Sequence, residues 1–178
     1  MGRADIRGFG VVLAAAVASS PVMAQGTAVK FDCDTAAASF SEIAFSQPGP
    51  RYHVSGNVTA KKYRYDGSWV PVATVRIVSA DKQSFGGIRL RAPTGSGDLE
   101  LIIQSRVHGK EDSTVVATLR EGEPATFSLD VVDGKMTIQA ADRVFSGPEL
   151  GAGSAVNVTC SSGQFVFQDL EWNAPPSS

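Results

Sequence analysis

Cysteine and histidine are both scarce: the chain of 178 residues holds two of each. This argues against most metal and thiol chemistry. A structural zinc site gathers four His, Cys or carboxylate ligands at short spacings, and a redox dithiol needs neighbouring cysteines. Here Cys33 and Cys160 lie far apart, and His53 and His108 stand alone. An excess of positive charge is also missing. With 16 Lys and Arg against 18 Asp and Glu, the net charge is −2, and no basic tract speaks for nucleic acid as a partner. There is no G-x-S-x-G nucleophile elbow. The Gly95-Ser-Gly97 and Gly151-Ala-Gly153 stretches are short loops with no phosphate-cradling helix behind them. Long apolar runs are absent as well. Phe9 to Ala18 is the longest near the start, and its length is about half of the roughly 20 residues needed to span a bilayer.

That short run has a different meaning. Arg3 and Arg7 precede it, and Val22 and Ala24 follow at the small-residue positions of a cleavage site. Residues 1–24 therefore read as a secretory signal, with Gln25 starting the mature chain and no transmembrane segment left after cleavage. The expected location is periplasmic or extracellular. In such an oxidising compartment two cysteines most simply form one bridge, Cys33–Cys160. The remaining length of roughly 150 residues suits one domain. The expected boundaries are residues 25–172, with a loose tail at 173–178 that carries Pro175 and Pro176.

Within that domain short runs alternate apolar and polar residues, the period of a half-buried strand. They are Tyr52–Val58, Val70–Val78, Phe85–Arg91, Leu99–Val107, Thr114–Leu119, Thr126–Val132, Met136–Ala140, Ala155–Cys160 and Gln164–Trp172. Asp133-Gly134 and Asp66-Gly67 mark hairpin turns. Thr94–Gly97, Glu121–Pro124 and Ser146–Gly153 read as loops, and Asp34–Phe45 as the one stretch able to hold a helical turn. So many short strands at close spacing predict an antiparallel all-β sandwich or barrel. In the last run Phe165 and Phe167 share one face, while Leu170 and Trp172 share a face one step out of phase. A β-bulge at Gln168-Asp169 brings all four into one core.

The closing third, from Phe127-Ser-Leu129 through Asp133-Gly134, Met136–Ala140 and Val156–Val158 to Gly163–Trp172, resembles the end of a concanavalin A-like lectin/glucanase domain. That resemblance implies a jelly-roll-like β-sandwich whose late strand pairs near the first, around Val29–Cys33, which also brings Cys33 towards Cys160. It implies a carbohydrate-related role, and it leaves room for a structural calcium ion, although no ligands for a metal are identifiable. The Glu-x-Asp-x-(x)-Glu strand motif of the glucanases is absent. Asp98-Leu-Glu100 and Asp169-Leu-Glu171 each offer two carboxylates but not the third.

Two clusters are candidates for ligand binding. Tyr63, Tyr65 and Trp69 surround the Asp66-Gly67 turn, where rings can stack on sugar faces beside Lys62, Arg64 and Asp66. Arg89 and Arg91 alternate on one strand, joined by Arg76 and Arg106 on neighbouring runs, and such a stripe can line a concave face that receives anionic groups. The leading expectation is a non-catalytic binding module for polysaccharide or envelope glycan. One alternative is a structural or protein-interaction component of the cell envelope, and another is an atypical polysaccharide-active enzyme.

Overall fold

The computed structural model describes residues 28–46 and 51–173. The strands are β1 (Val29–Asp34), β2 (Phe40–Ser46), β3 (Arg51–Tyr63), β4 (Val72–Val78), β5 (Phe85–Arg91), β6 (Asp98–Val107), β7 (Lys110–Arg120), β8 (Ala125–Val132), β9 (Lys135–Ala140), β10 (Arg143–Glu149), β11 (Ala155–Ser161) and β12 (Gly163–Asn173). The described residues contain no helix. Two six-stranded sheets form, in the orders β1-β12-β3-β8-β9-β10 and β2-β11-β4-β5-β6-β7. Every pairing is antiparallel. The chain crosses between layers so that β12 lies between β1 and β3, and β11 between β2 and β4. This is the jelly-roll-like sandwich that the sequence predicts.

The alternation read in the sequence explains the two layers. Val54, Val58, Phe127, Leu129, Ile138, Phe165 and Phe167 of the first sheet point inward. They meet Val75, Ile77, Ile88, Leu90, Leu99, Leu101, Val156 and Val158 of the second. All of these are buried. Each such side chain removed from water stabilises the fold by about 1.5–3 kcal/mol before ordering costs.

The bulge in β12 is where the phase argument puts it. The register with β3 shifts between Gln168 and Glu171, and Asp169 adopts a positive φ of 51°. Phe165, Phe167 and Leu170 are consequently all fully buried, and Trp172 stacks on Phe45 of the opposite sheet with centroids 4.2 Å apart. The Asp133-Gly134 hairpin has φ of 51° and 80°, the two left-handed positions of a tight turn between β8 and β9. Cys33 on β1 is bonded to Cys160 on β11, with Cα atoms 6.3 Å apart. The bridge thus crosses between the sheets, and in the chain-entropy view a closed loop this long contributes about 4–5 kcal/mol.

Two segments differ from expectation. Residues 34–45 hold no helical turn. The alanines after Thr35 make a tight turn, with Ala38 at a φ of 54°, and β2 begins at Phe40. Pairing with β11 along the whole of β2 outweighs local alanine propensity. Ser146–Gly153 is not all loop, because β10 continues to Glu149. Gly147 and Pro148 sit where its pairing with β9 shifts register, and β10 is a sheet edge, the place where a strand tolerates proline. Asn173, assigned by sequence to the tail, is the last residue of β12. The signal segment 1–24 and residues 174–178 lie outside the described residues. No helix among the described residues is long and apolar enough to cross a membrane.

Candidate functional site

The face of the second sheet that turns away from the core is covered by no described element, yet its centre is buried. Thr74, Phe85, Ile102 and Gln104 project from that face and are 4–5% exposed. Long side chains lying over the sheet shield them: Arg76 and Arg106 cover Phe85, and Arg76 reaches Gln104. Register fixes its layout. One row runs Ala44, Asn157, Arg76, Gly87, Gln104, Ser113 across β2, β11, β4, β5, β6 and β7. The next rows on either side hold Thr74, Arg89 and Ile102, and Val78, Phe85 and Arg106.

Gly87 is central to this arrangement. A Cβ there would lie 2.1 Å from the Val75 carbonyl oxygen on β4, so no other residue fits without moving a strand. Its bare backbone leaves a floor over which Arg76 extends to donate from Nη2 to Gln104 Oε1 at 3.3 Å. The guanidinium carbons of Arg76 and Arg106 lie 4.7 and 4.8 Å from the centre of the Phe85 ring, which holds both by cation–π attraction. Arg106 is paired with Glu111 on β7. The Arg89 side chain makes no hydrogen bond or ion pair among the described residues. The Nε groups of Arg76, Arg89 and Arg106 and the amide nitrogen of Gln104 are buried and have no partner.

Electrostatics follow from this crowding. Burial, and then the neighbouring Arg89 and Arg106 charges, bring the Arg76 guanidinium down to about 10, against the pull of Glu111 and Glu42. At neutral pH it remains charged. Glu111 is held below the usual carboxylate range, first by the hydrogen bond from Arg106 and also by the charges of Arg106, Arg89 and Arg76. A cleft of about 320 Å³ opens at one end of the face, lined by Arg76, Phe85, Arg106, Lys82, Ser79 and Asn157 among others.

Of the carboxylates on this face, three are engaged and Asp98, at the end of β6, has no side-chain partner among the described residues. Glu100 accepts from Arg91, Glu111 from Arg106, and Glu42 from Asn157 and Thr159. Among the described residues no His or Tyr lies on the outward positions of these six strands. The arginine stripe of the sequence is therefore assembled, with one difference inside it: Arg91 is neutralised by Glu100, while Arg89 is free.

The aromatic cluster lies elsewhere. Asp66 and Trp69 close a small hairpin through paired backbone hydrogen bonds. Trp69 is 48% and Tyr65 38% exposed. Tyr63 packs against the core, its ring edge-on to Tyr65 at 6.3 Å. Its hydroxyl is buried without a partner and its pKa is raised to about 12, chiefly by that burial and then by Glu121. Arg64, the polar partner anticipated beside these rings, is committed to Asp34 and to the Thr35 carbonyl. The rings are thus partly available, but without that cation.

Other candidates are taken up by structure. His53 Nδ1 lies 2.6 Å from Asp130 Oδ1, and His108 occupies a positive-φ turn. Asp169 sits in the bulge beside Asn57, so Asp169 and Glu171 do not flank a flat strand. Among the described residues no three His, Cys, Asp or Glu side chains converge on a metal position. Gln104 and Phe85 were not singled out by the sequence. The signal for them is the Gly86-Gly87 pair inside a strand, since glycine there marks close approach of another backbone.

No protein-family model matches the chain, and no curated protein is similar to it in sequence. Solved structures share its fold. An alginate lyase from Alteromonas sp. 272 superposes with a TM-score of 0.53 at 10% identity, over 70% of this chain and 72% of that one. A xylan β-1,4-xylosidase from Bacillus halodurans matches 81% of this chain with a TM-score of 0.57 at 11% identity, over 32% of its own length. A protein of unknown function from Saccharomyces cerevisiae gives 0.55 at 12% identity, over 87% of this chain and 94% of that chain. The fold is a concanavalin A-like jelly roll. At these identities the likeness speaks for architecture alone.

Proposed function

We propose that this protein is a secreted or periplasmic, non-catalytic carbohydrate-binding module that holds its glycan on the outward face of the second sheet. The observation that carries this reading is the set of buried, unpartnered donors on an open face: Arg76 Nε, Arg89 Nε, Arg106 Nε and the Gln104 amide. A buried donor left without a partner costs about 1–3 kcal/mol, and a sugar's hydroxyl and ring oxygens are suitable acceptors. Two of the fold neighbours act on polysaccharides according to their names, which supports the ligand class. The signal-like start and the Cys33–Cys160 bridge support an oxidising compartment. Binding is favoured over hydrolysis because cleavage of a glycosidic bond by water uses two carboxyl groups, and of those on this face Glu42, Glu100 and Glu111 are each held by a neighbour, which leaves Asp98 alone.

The test is calorimetric titration of the purified, oxidised protein with a panel of neutral and acidic polysaccharides. Saturable binding that falls at least tenfold in Gln104→Ala supports the reading. A flat response across the panel, in protein with an intact thermal transition, overturns it.

A further inference from the structure

The ligand can be specified further, and the specification rests on the outward-face reading above. We infer that the face takes an acidic polysaccharide, with its carboxylate or sulfate groups seated among Arg76, Arg89 and Arg106 above the Gly87 floor.

The argument begins with charge balance. A chain with net charge −2 has gathered three guanidinium groups at the centre of one face. Of the carboxylates near them, Glu111 is bound to Arg106. Glu42 is occupied by Asn157 and Thr159, with β11 between it and the β4 strand that carries Arg76. Arg89 is left with no counter-charge in contact, and its Nε is buried. Grouping like charges in a shielded place is unfavourable unless something opposite joins them. The cleft at the end of the face continues the pattern. Among the described residues its lining holds Arg76, Arg106 and Lys82 and no Asp or Glu.

Chemistry narrows the partner. Guanidinium groups recognise planar or tetrahedral oxyanions by paired N–H donors. The donors here belong to three strands, so they face an extended ligand lying across the sheet rather than a single ion in a pocket. Arg91, one position along the same strand face, is satisfied by Glu100 and marks where the unpaired charge ends. Arg89 is the residue whose charge has no structural employment, so it is assigned the role of selecting acidic over neutral chains.

The experiment compares matched polymers. The oxidised protein is titrated with a polyuronate and its carboxyl-reduced form, and with a sulfated galactan and its desulfated form. Wild type, Arg89→Gln and Lys135→Gln, the last on the outer face of the other sheet, are run in parallel. The expected result is a loss of at least tenfold on neutralising one polymer. About the same loss is expected in Arg89→Gln, with Lys135→Gln unchanged. The pair that shows it tells carboxylate from sulfate. Equal affinity for charged and neutralised polymers overturns the inference while leaving a glycan-binding face. Acidic-polymer binding that ignores Arg89→Gln overturns it by location. No binding to any polymer overturns both readings.

Discussion

Arg76 and Gln104 are hydrogen-bonded to each other although a whole strand, β5, runs between theirs. The contact is possible only because the intervening register position is Gly87. A single missing side chain lets one arginine cross two strand spacings and lie along the sheet, where its Nε is buried.

Gly87→Ala should therefore damage both fold and site. The added methyl meets the backbone of β4 at Val75 and Arg76 rather than a yielding side chain. Overpacking of this kind costs about 1–3 kcal/mol or more. A thermal melt of the variant should show a drop of several degrees. An unchanged transition would mean that β4 does not approach Gly87 as closely as described.

The Cys33–Cys160 bridge closes a long loop between the two layers. Replacing both cysteines by alanine should lower unfolding free energy by about 4–5 kcal/mol in the chain-entropy account. Denaturant titration of the two forms measures the difference. A loss below about 1 kcal/mol would show that the denatured chain is compact without the bridge.

Asp169 occupies a left-handed backbone position in the β12 bulge. Asp169→Asn should be nearly neutral, since asparagine tolerates that region. Asp169→Val should cost about 1–2 kcal/mol. If valine were tolerated as well as asparagine, the bulge would not fix the strand's phase.

Glu111 ties stability and affinity to pH. Its carboxyl is held below the ordinary range in the folded state, first by the Arg106 hydrogen bond. A folded value below the unfolded one gives stabilisation that is complete above the unfolded pKa. It fades as pH falls through the lower, folded value, in acid below about pH 4. The acid limb of the wild-type stability curve should be steeper than that of Glu111→Gln. The same substitution removes the carboxylate that neutralises Arg106, so acidic-polymer affinity at neutral pH should rise. A weaker affinity in Glu111→Gln would assign that carboxylate to ligand binding instead.

Much of the fold was legible because burial in a sandwich writes itself as period two. The Phe165–Trp172 phase slip even located a bulge. Where the signal failed, two opposing rules met. The alanines after Thr35 favour helix, and only β11, more than a hundred residues later, supplies the partner that makes Phe40–Ser46 a strand. Gly147 and Pro148 are breakers by propensity, and only their place on an edge makes them acceptable. The site was legible as a stripe of arginines but not as an ensemble. Which of Arg89 and Arg91 is neutralised depends on the β5–β6 register, which places Arg91 opposite Glu100 and Arg89 opposite Ile102. Gln104 gained its meaning only by facing Gly87.

The inter-sheet bridge also sets how the molecule bears a mechanical load. β1 is an edge strand, and tension on the chain ahead of Val29 would peel it from β12 one hydrogen bond after another. The peeling stops at Cys33. From there tension passes through sulfur into β11, which is flanked on both sides by β2 and β4 and can leave only by shearing two ladders at once. A pull on this end is thus delivered to the sheet that carries the arginine face, and the strand arrangement that forms that face resists rupture for as long as the covalent link is oxidised.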